Sequence, residues 1–180
     1  MMIPIMNFHV QKCQVGHVLK DVAGLNPKDA EKLGDHITIA IGEKRLVLPT
    51  FINSRISPSY ISLNMEQRKF LEVKERDVVE VREESDISPI KKLVLLVTYQ
   101  FFRCSYRLSS DQVPEIQKIF RATFTPHVLN KGHRISLKVG DTMLSLQVIN
   151  LYNSSGKEVK CGLFDSAAEI KIQLPMNTEV

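Results

Sequence analysis

"SYISLNMEQRKFLEVKERDVVEVREE", Ser59 to Glu84, is the stretch whose reading decides the fold. "SYISL" reads as a short strand. Asn64 follows it, and its side-chain oxygen can accept from the N–H groups of a first helical turn. Gln67 stands three positions on, where its side chain can reach back to the cap, so the two residues form a capping box. Met65, Phe70 and Leu71 supply the apolar side of this segment. A helix this short is marginal by itself and must be held by tertiary packing. "KERDVVEVR" then turns and runs out as a strand, with Val79 and Val81 on one face. A minimal connector between two strands therefore carries Gln67, Arg68 and Lys69 side by side.

Working outward, "HITIAI" (His36 to Ile41) alternates polar and apolar residues, and "GEK" turns it into "RLVLPTF", the pattern of a hairpin. One local arrangement recurs: "LGDHITIA" at Leu33, "VKERDVVEV" at Val73 and "LNKGHRISL" at Leu129 each join an apolar residue, a polar turn and an alternating strand. Short strands, hairpins and a helix wedged between strands, repeated in this way, point to a small closed barrel built from interlocked halves. An ordinary open sheet has the same periodicity and stays open as the alternative. At "REESDISPIKK", Arg82 to Lys92, charges, Ser and a Pro interrupt the strand pattern and mark a linker. The expected organisation is a β-barrel over 1–84, a linker over 85–91 and a β-rich α/β module over 92–180, a β-rich α+β fold as a whole.

In the second module "KLVLLVTY" is a strand. The clearest helix of the chain follows a loop, with Pro114 in its first turn, Ile116, Ile119, Phe120 and Phe124 at helical spacing, and Lys118 and Arg121 facing away. "RISLKVGDTMLSLQVINLY" is a hairpin turning at Gly140-Asp141, and Ser155-Gly156 marks a further turn.

The chain has 180 residues, 43% of them hydrophobic and 24% charged, which is ordinary globular composition. Its net charge of +4 is unevenly placed: twelve Lys and Arg oppose twelve Asp and Glu through Glu84, and twelve oppose eight from Ser85 onward. Such an excess favours an acidic partner weakly, against the simpler reading of a solvated basic face. Cys13, Cys104 and Cys161 are odd in number and widely spaced, without a C-x-x-C pair or clustered His, and read as reduced thiols of a cytosolic protein rather than a disulfide framework or zinc site. "MMIPIMNFHV" lacks the charged start and long apolar stretch of a signal peptide. The most apolar run, Leu93 to Phe102, falls well short of the ~20 residues that span a bilayer, and direct membrane insertion is not expected.

Catalytic chemistry is sparse. "NSSGKEV" fails as a nucleotide-binding loop twice, because Leu151 stands where the first Gly belongs and Glu158 replaces the magnesium-holding hydroxyl. It reads as a hairpin tip. "GDTM" at Gly140 departs from the aspartic-protease D-[ST]-G loop at Met143. His9, His17, His36, His127 and His133 have neither metal-ligand nor triad spacing. Basic residues beside Phe101, Phe102, Arg103 and Tyr106 bring nucleic acid to mind, but no RRM, zinc-finger or helix-turn-helix signature accompanies them. No catalytic residue, metal ligand, cofactor of this chain or nucleic-acid partner is expected.

The blocks quoted above, from "SPSYISLNMEQRKFLEVKERDVVEV" through "KKLVLLVTYQFFRC", the Pro-led helix and "LNKGHRISLKVGDTMLSLQVINL" to "CGLFDSAAEIKI", resemble in order and spacing the N-terminal domain of the N-ethylmaleimide-sensitive factor (NSF) family. The resemblance covers nearly the whole chain, with low identity outside Gln67-Arg68-Lys69. It implies a double-psi β-barrel followed by a smaller α/β subdomain, with a groove between them. NSF proteins are AAA+ ATPases that, as hexamers, dismantle SNARE complexes after membrane fusion; the N-terminal domain hydrolyses no ATP and grips the acidic adaptor α-SNAP. The resemblance thus implies a cytoplasmic chain recruited to membranes through an α-SNAP-type adaptor bound to SNAREs, with ATP and magnesium confined to ATPase modules elsewhere in a homohexameric protein. Position by position, the family's basic contacts fall on Arg68 and Lys69, on Lys12 before Cys13, and on Arg103, where a lysine pair is reduced to one charge beside Cys104 that Arg107 can compensate. Each exposed ion pair with a partner contributes only ~0.2–1 kcal/mol, so the set implies steering and salt sensitivity more than raw affinity. The N-terminal domain of a related AAA+ ATPase of the ubiquitin-segregase or peroxisomal type, and a stand-alone barrel enzyme, are the alternatives.

Overall fold

The computed structural model describes residues 4–13, 20–99 and 108–175. The chain divides into two compact units, Met1–Ile87 and Ser88–Val180. The division falls inside the expected linker, and the first strand of the second unit already begins at Ile90.

In the first unit, β1 (Met6–Lys12), β2 (Ala23–Leu25), α1 (Pro27–Leu33), β3 (His36–Ile41), β4 (Lys44–Ile52), β5 (Tyr60–Leu63), α2 (Met65–Leu71) and β6 (Val78–Glu83) follow one another. The strands close into a barrel in the order β1-β5-β2-β4-β3-β6. Its pairings reveal two interlocked halves. β1 runs parallel to β5 and antiparallel to β6, while β4 runs parallel to β2 and antiparallel to β3. β2 with β5, and β3 with β6, pair antiparallel across the two halves. Exchanging β1-β2-α1-β3 for β4-β5-α2-β6 leaves every pairing unchanged, so each half supplies strands that complete the other. Closure also removes the unpaired edges that an open sheet would present.

The barrel interior is filled by branched side chains from both halves: Leu25, Ile37, Ile39, Leu46, Leu48, Ile61 and Leu63 are fully buried, as is Phe8. Val79 and Val81 of β6 join them, as their alternation requires. β3 departs from its apparent alternation. Ile37 through Ala40 are all buried, because the hydroxyl of Thr38 donates to Glu84 Oε2 at 2.6 Å and the outward face is covered too. The hairpin between β3 and β4 turns on Gly42 and Glu43; Gly42, at the first turn position, takes φ 55°, a value glycine adopts without steric cost. Met65 is also corrected: it is 52% exposed. Helical geometry puts it about 200° around α2 from Gln67, and Gln67 and Leu71 are the buried residues there, with Phe70 packed partly against the core.

The second unit is built on a sheet in the order β11-β10-β7-β13, with β9 added to β10. These strands are β7 (Ile90–Tyr99), β9 (Arg134–Val139), β10 (Thr142–Asn153), β11 (Glu158–Val159) and β13 (Glu169–Gln173); β8 (His127–Asn130) and β12 (Cys161–Phe164) form a separate antiparallel pair. α3 (Val113–Phe124) buries Ile116, Phe120 and Phe124, with Ile119 packed partly beside them. Phe120 meets Phe164 edge-on at a centroid distance of 5.2 Å, a favoured aromatic geometry. The β9–β10 hairpin turns at Gly140-Asp141, and "NSSGKEV" is a hairpin tip between β10 and β11. There Asn153 Oδ1 accepts from Ser155 N and Lys157 N, and Gly156 takes φ 75°.

Candidate functional site

Gln67, Arg68 and Lys69 have three different fates on α2. Gln67 is completely buried. Its backbone N–H donates to Asn64 Oδ1 at 2.9 Å, and its side-chain oxygen accepts from Asn64 N at 2.8 Å, which completes the capping box. Its amide nitrogen donates to Asp21 Oδ1 at 2.9 Å and to Val22 O at 3.3 Å. Gln67 therefore ties α2 to the segment that leads into β2. This side chain makes the short helix rigid, since a buried amide gives up water only for comparable partners. Arg68 is half-buried, and its Nε, shielded from solvent, has no hydrogen-bond partner among the described residues. Lys69 is exposed and pairs within the helix with Glu66 at 3.2 Å.

The connection from α2 to β6 decides what Arg68 meets. Glu72 ends the helix in the left-handed region, its N–H bonded to Arg68 O and Lys69 O, and its carboxylate pairs with Lys44. The chain turns where Lys74 N donates to Asp77 Oδ2 at 2.7 Å, and Arg76 takes φ 72°. Two backbone bonds stitch this turn to β1: Arg76 N to Val10 O at 2.8 Å and Val10 N to Asp77 O at 2.9 Å. Glu75 is thereby set beside the end of β1, where it forms an ion pair with Lys12 at 2.5 Å. The hydrogen bond from Lys12 holds the Glu75 carboxyl below its ordinary range; loss of water contact opposes this, and the charges of Lys12, Arg68 and Arg76 reinforce it. Glu75 thus stays ionised across the neutral range. A folded-state value below the unfolded one means that its small contribution to stability is present above the unfolded value and lost as pH falls through the folded one.

Of the five expected contact residues, Lys12 pairs directly with Glu75 and Arg68 acts on the same carboxylate only through its charge, whereas Lys69 is engaged with Glu66. Arg103 and Arg107 lie outside the described residues. Glu75 and Arg76 were not singled out from the sequence, although they sit in the "KERD" turn of the recurring strand-entry pattern. The wider segment follows one rule: each glutamate of α2 and its exit, Glu66, Glu72 and Glu75, holds a lysine. Next to Lys12, the Cys13 thiol is pushed up by burial, partly offset by a hydrogen bond with Ser62, which disfavours the thiolate needed for nucleophilic chemistry. Among the described residues no group of three His, Cys, Asp or Glu is placed to hold a metal, and no helix is long and apolar enough to cross a membrane.

A second concave surface lies on the sheet of the second unit, where Lys91, Lys92 and Lys171 are offset by Glu169, which pairs with Lys92 at 3.3 Å. No protein-family model matches the chain, and no curated protein matches it significantly.

Proposed function

We propose that this chain is an adaptor-binding N-terminal domain of an NSF-like ATPase, gripping an α-SNAP-type adaptor on SNARE complexes for ATP-driven disassembly in vesicle trafficking. The observation that carries the reading is that Lys12, from β1, is paired with Glu75 of the α2 exit, a carboxylate on which the charge of Arg68, from α2, also acts. Two cations distant in sequence are held on a braced helix and its neighbouring strand, as a docking surface for an acidic protein requires. The closed barrel of interlocked halves supports the reading as well, and we take it to be of the double-psi type, followed by an α/β subdomain. Lys69, Arg103 and Arg107 complete the contact set in this proposal. The chain acts by binding alone, in the cytoplasm; ATP and magnesium serve ATPase modules elsewhere in a homohexamer, whose repeated weak contacts hold the target through high effective concentration.

The test reverses both charges. Lys12→Glu with Arg68→Glu should abolish α-SNAP binding at physiological salt while leaving the circular dichroism spectrum and Tm unchanged. Wild-type affinity in the folded double variant overturns the assignment, and capture of ubiquitin-like cofactors in place of α-SNAP would transfer the chain to the segregase-type alternative.

A further inference from the structure

Lys12 holds Glu75 by a direct ion pair, and the charges of Arg68 and Arg76 act on it more weakly. Across Glu66–Asp77, counted with the lysines paired to it from other strands, Lys12 and Lys44, six cations face four carboxylates, so this surface is partly neutralised and still net positive. Glu75 is exposed, at the tip of a turn fixed by its backbone bonds to β1. Its carboxylate therefore stands at the surface beside the exposed Lys12 ammonium, where it competes with any incoming acidic side chain for that charge. The other two glutamates of the segment differ. Glu66 holds only Lys69, and Glu72 holds only Lys44, among the ion pairs of the described residues.

We propose that Glu75 is a built-in competitor, occupying the Lys12–Arg68–Arg76 cluster in the free chain and giving up Lys12 when a carboxylate-rich protein surface docks there. The inference rests on reading this cluster as the contact for an acidic partner, and it adds Arg76 to that contact. Pre-occupation by an internal carboxylate lowers affinity for every acidic surface, and only a partner that offers several carboxylates at once offsets the lost pair. Glu75 then filters weakly acidic proteins from strongly acidic ones, the repulsive element on which specificity commonly depends. Exchange costs little because an exposed pair is worth little, so the filter is rapid and reversible.

The experiment compares Glu75→Gln with Glu72→Gln in the whole chain. The two remove the same charge from the same segment, but only the first frees the cluster. Each variant is titrated with an oligo-glutamate peptide at low and physiological salt, and separately with α-SNAP, after its Tm has been matched to wild type. Glu75→Gln should bind oligo-glutamate roughly two- to fivefold more tightly at low salt, with the gain shrinking as salt rises, and Glu72→Gln should gain distinctly less. Adding Arg76→Gln to Glu75→Gln should reverse part of the gain. Unchanged or weaker binding by Glu75→Gln, or an equal gain in Glu72→Gln, overturns the proposal. If wild type ignores α-SNAP while Glu75→Gln still tightens oligo-glutamate, the adaptor reading fails and the competitor role stands. If wild type binds α-SNAP and Glu75→Gln tightens neither probe, the competitor role fails and the adaptor reading stands.

Discussion

The two halves of the barrel carry helices of the same length on the same plan, and they differ at a few positions. Asn26 caps α1 and Asn64 caps α2. Three residues after each cap, a buried side chain reaches the segment that leads into the middle strand of the opposite half: Asp29 Oδ2 accepts from Ser59 N at 2.8 Å ahead of β5, and Gln67 donates to Asp21 and Val22 ahead of β2. Each helix ends on a fully or almost fully buried leucine, Leu33 or Leu71, and then on a residue with positive φ, Gly34 or Glu72. The departures begin one position after the buried link, where α1 has the small, buried Ala30 and α2 has Arg68. Glu31 is then answered by Lys69, and the short exit 34–35 by the longer turn 72–77 that carries Glu75 and Arg76. What the halves share is what closure of the barrel demands. What they do not share is the arginine of α2 and the longer exit that carries Glu75 and Arg76, since α1 has charges of its own in Lys28, Asp29, Glu31 and Lys32; these departures are the part of the barrel that the proposed docking surface uses.

The most severe test of this equivalence is in the core. Leu33→Ala and Leu71→Ala should each cost about 2–5 kcal/mol, the range for deleting a buried leucine into an unrelaxed cavity. Native-state hydrogen exchange of the barrel amides measures both. Similar costs fit two halves with equal roles, and a Leu71→Ala cost far below that of Leu33→Ala would show that α2 is an appendage of a barrel held by α1. Next come the cross-links. Gln67→Ala removes the side-chain bonds to Asn64 N, Asp21 Oδ1 and Val22 O together, and loss of a buried hydrogen-bond partner costs about 1–3 kcal/mol. Asp29→Ala removes the acceptor of Ser59 N, so in the same exchange experiment it should cost less than Gln67→Ala. A reversed ranking would mean that the link from α1, rather than the one from α2, braces the barrel.

The sequence made some of this legible and hid the rest for physical reasons. The capping box, the hairpins at Gly42 and Gly140 and the apolar face of α3 follow from local chemistry and short-range periodicity, which a chain carries openly, whereas closure of the barrel rests on pairings between strands remote in sequence, which an open sheet of the same periodicity lacks. Burial of Met65 was misjudged because a two-turn helix contains too few residues to phase its face. The apparent polar face of β3 misled because Thr38 satisfies its hydroxyl on Glu84, a partner remote in sequence. Arg68 and Lys69 looked like one basic pair, yet Lys69 is taken up by Glu66 while the charge of Arg68 acts on Glu75, the partner of Lys12. That choice is made by the turn at Lys74–Asp77 and its bonds to β1, which strand patterning does not encode.

The smallest expected effects concern the two helix ends, and here the halves should respond with opposite signs. Gly34 takes φ 73° and ψ −162°, a region essentially restricted to glycine, and a Cβ there would lie 3.2 Å from Glu83 Oε1. Gly34→Ala should therefore cost about 1–3 kcal/mol. Glu72 takes φ 58° and ψ 38°, ordinary left-handed geometry that a side chain tolerates at a penalty of roughly 1 kcal/mol. Glu72→Gly should recover part of that penalty and raise Tm slightly, less whatever the exposed pair with Lys44 contributes. A glutamate at a position that favours glycine then stands against local backbone preference, as expected where each glutamate of the segment holds a lysine. If Glu72→Gly instead lowers Tm, the Lys44 pair outweighs the backbone penalty, and the charge pattern of α2 belongs to the fold as well as to the proposed docking surface.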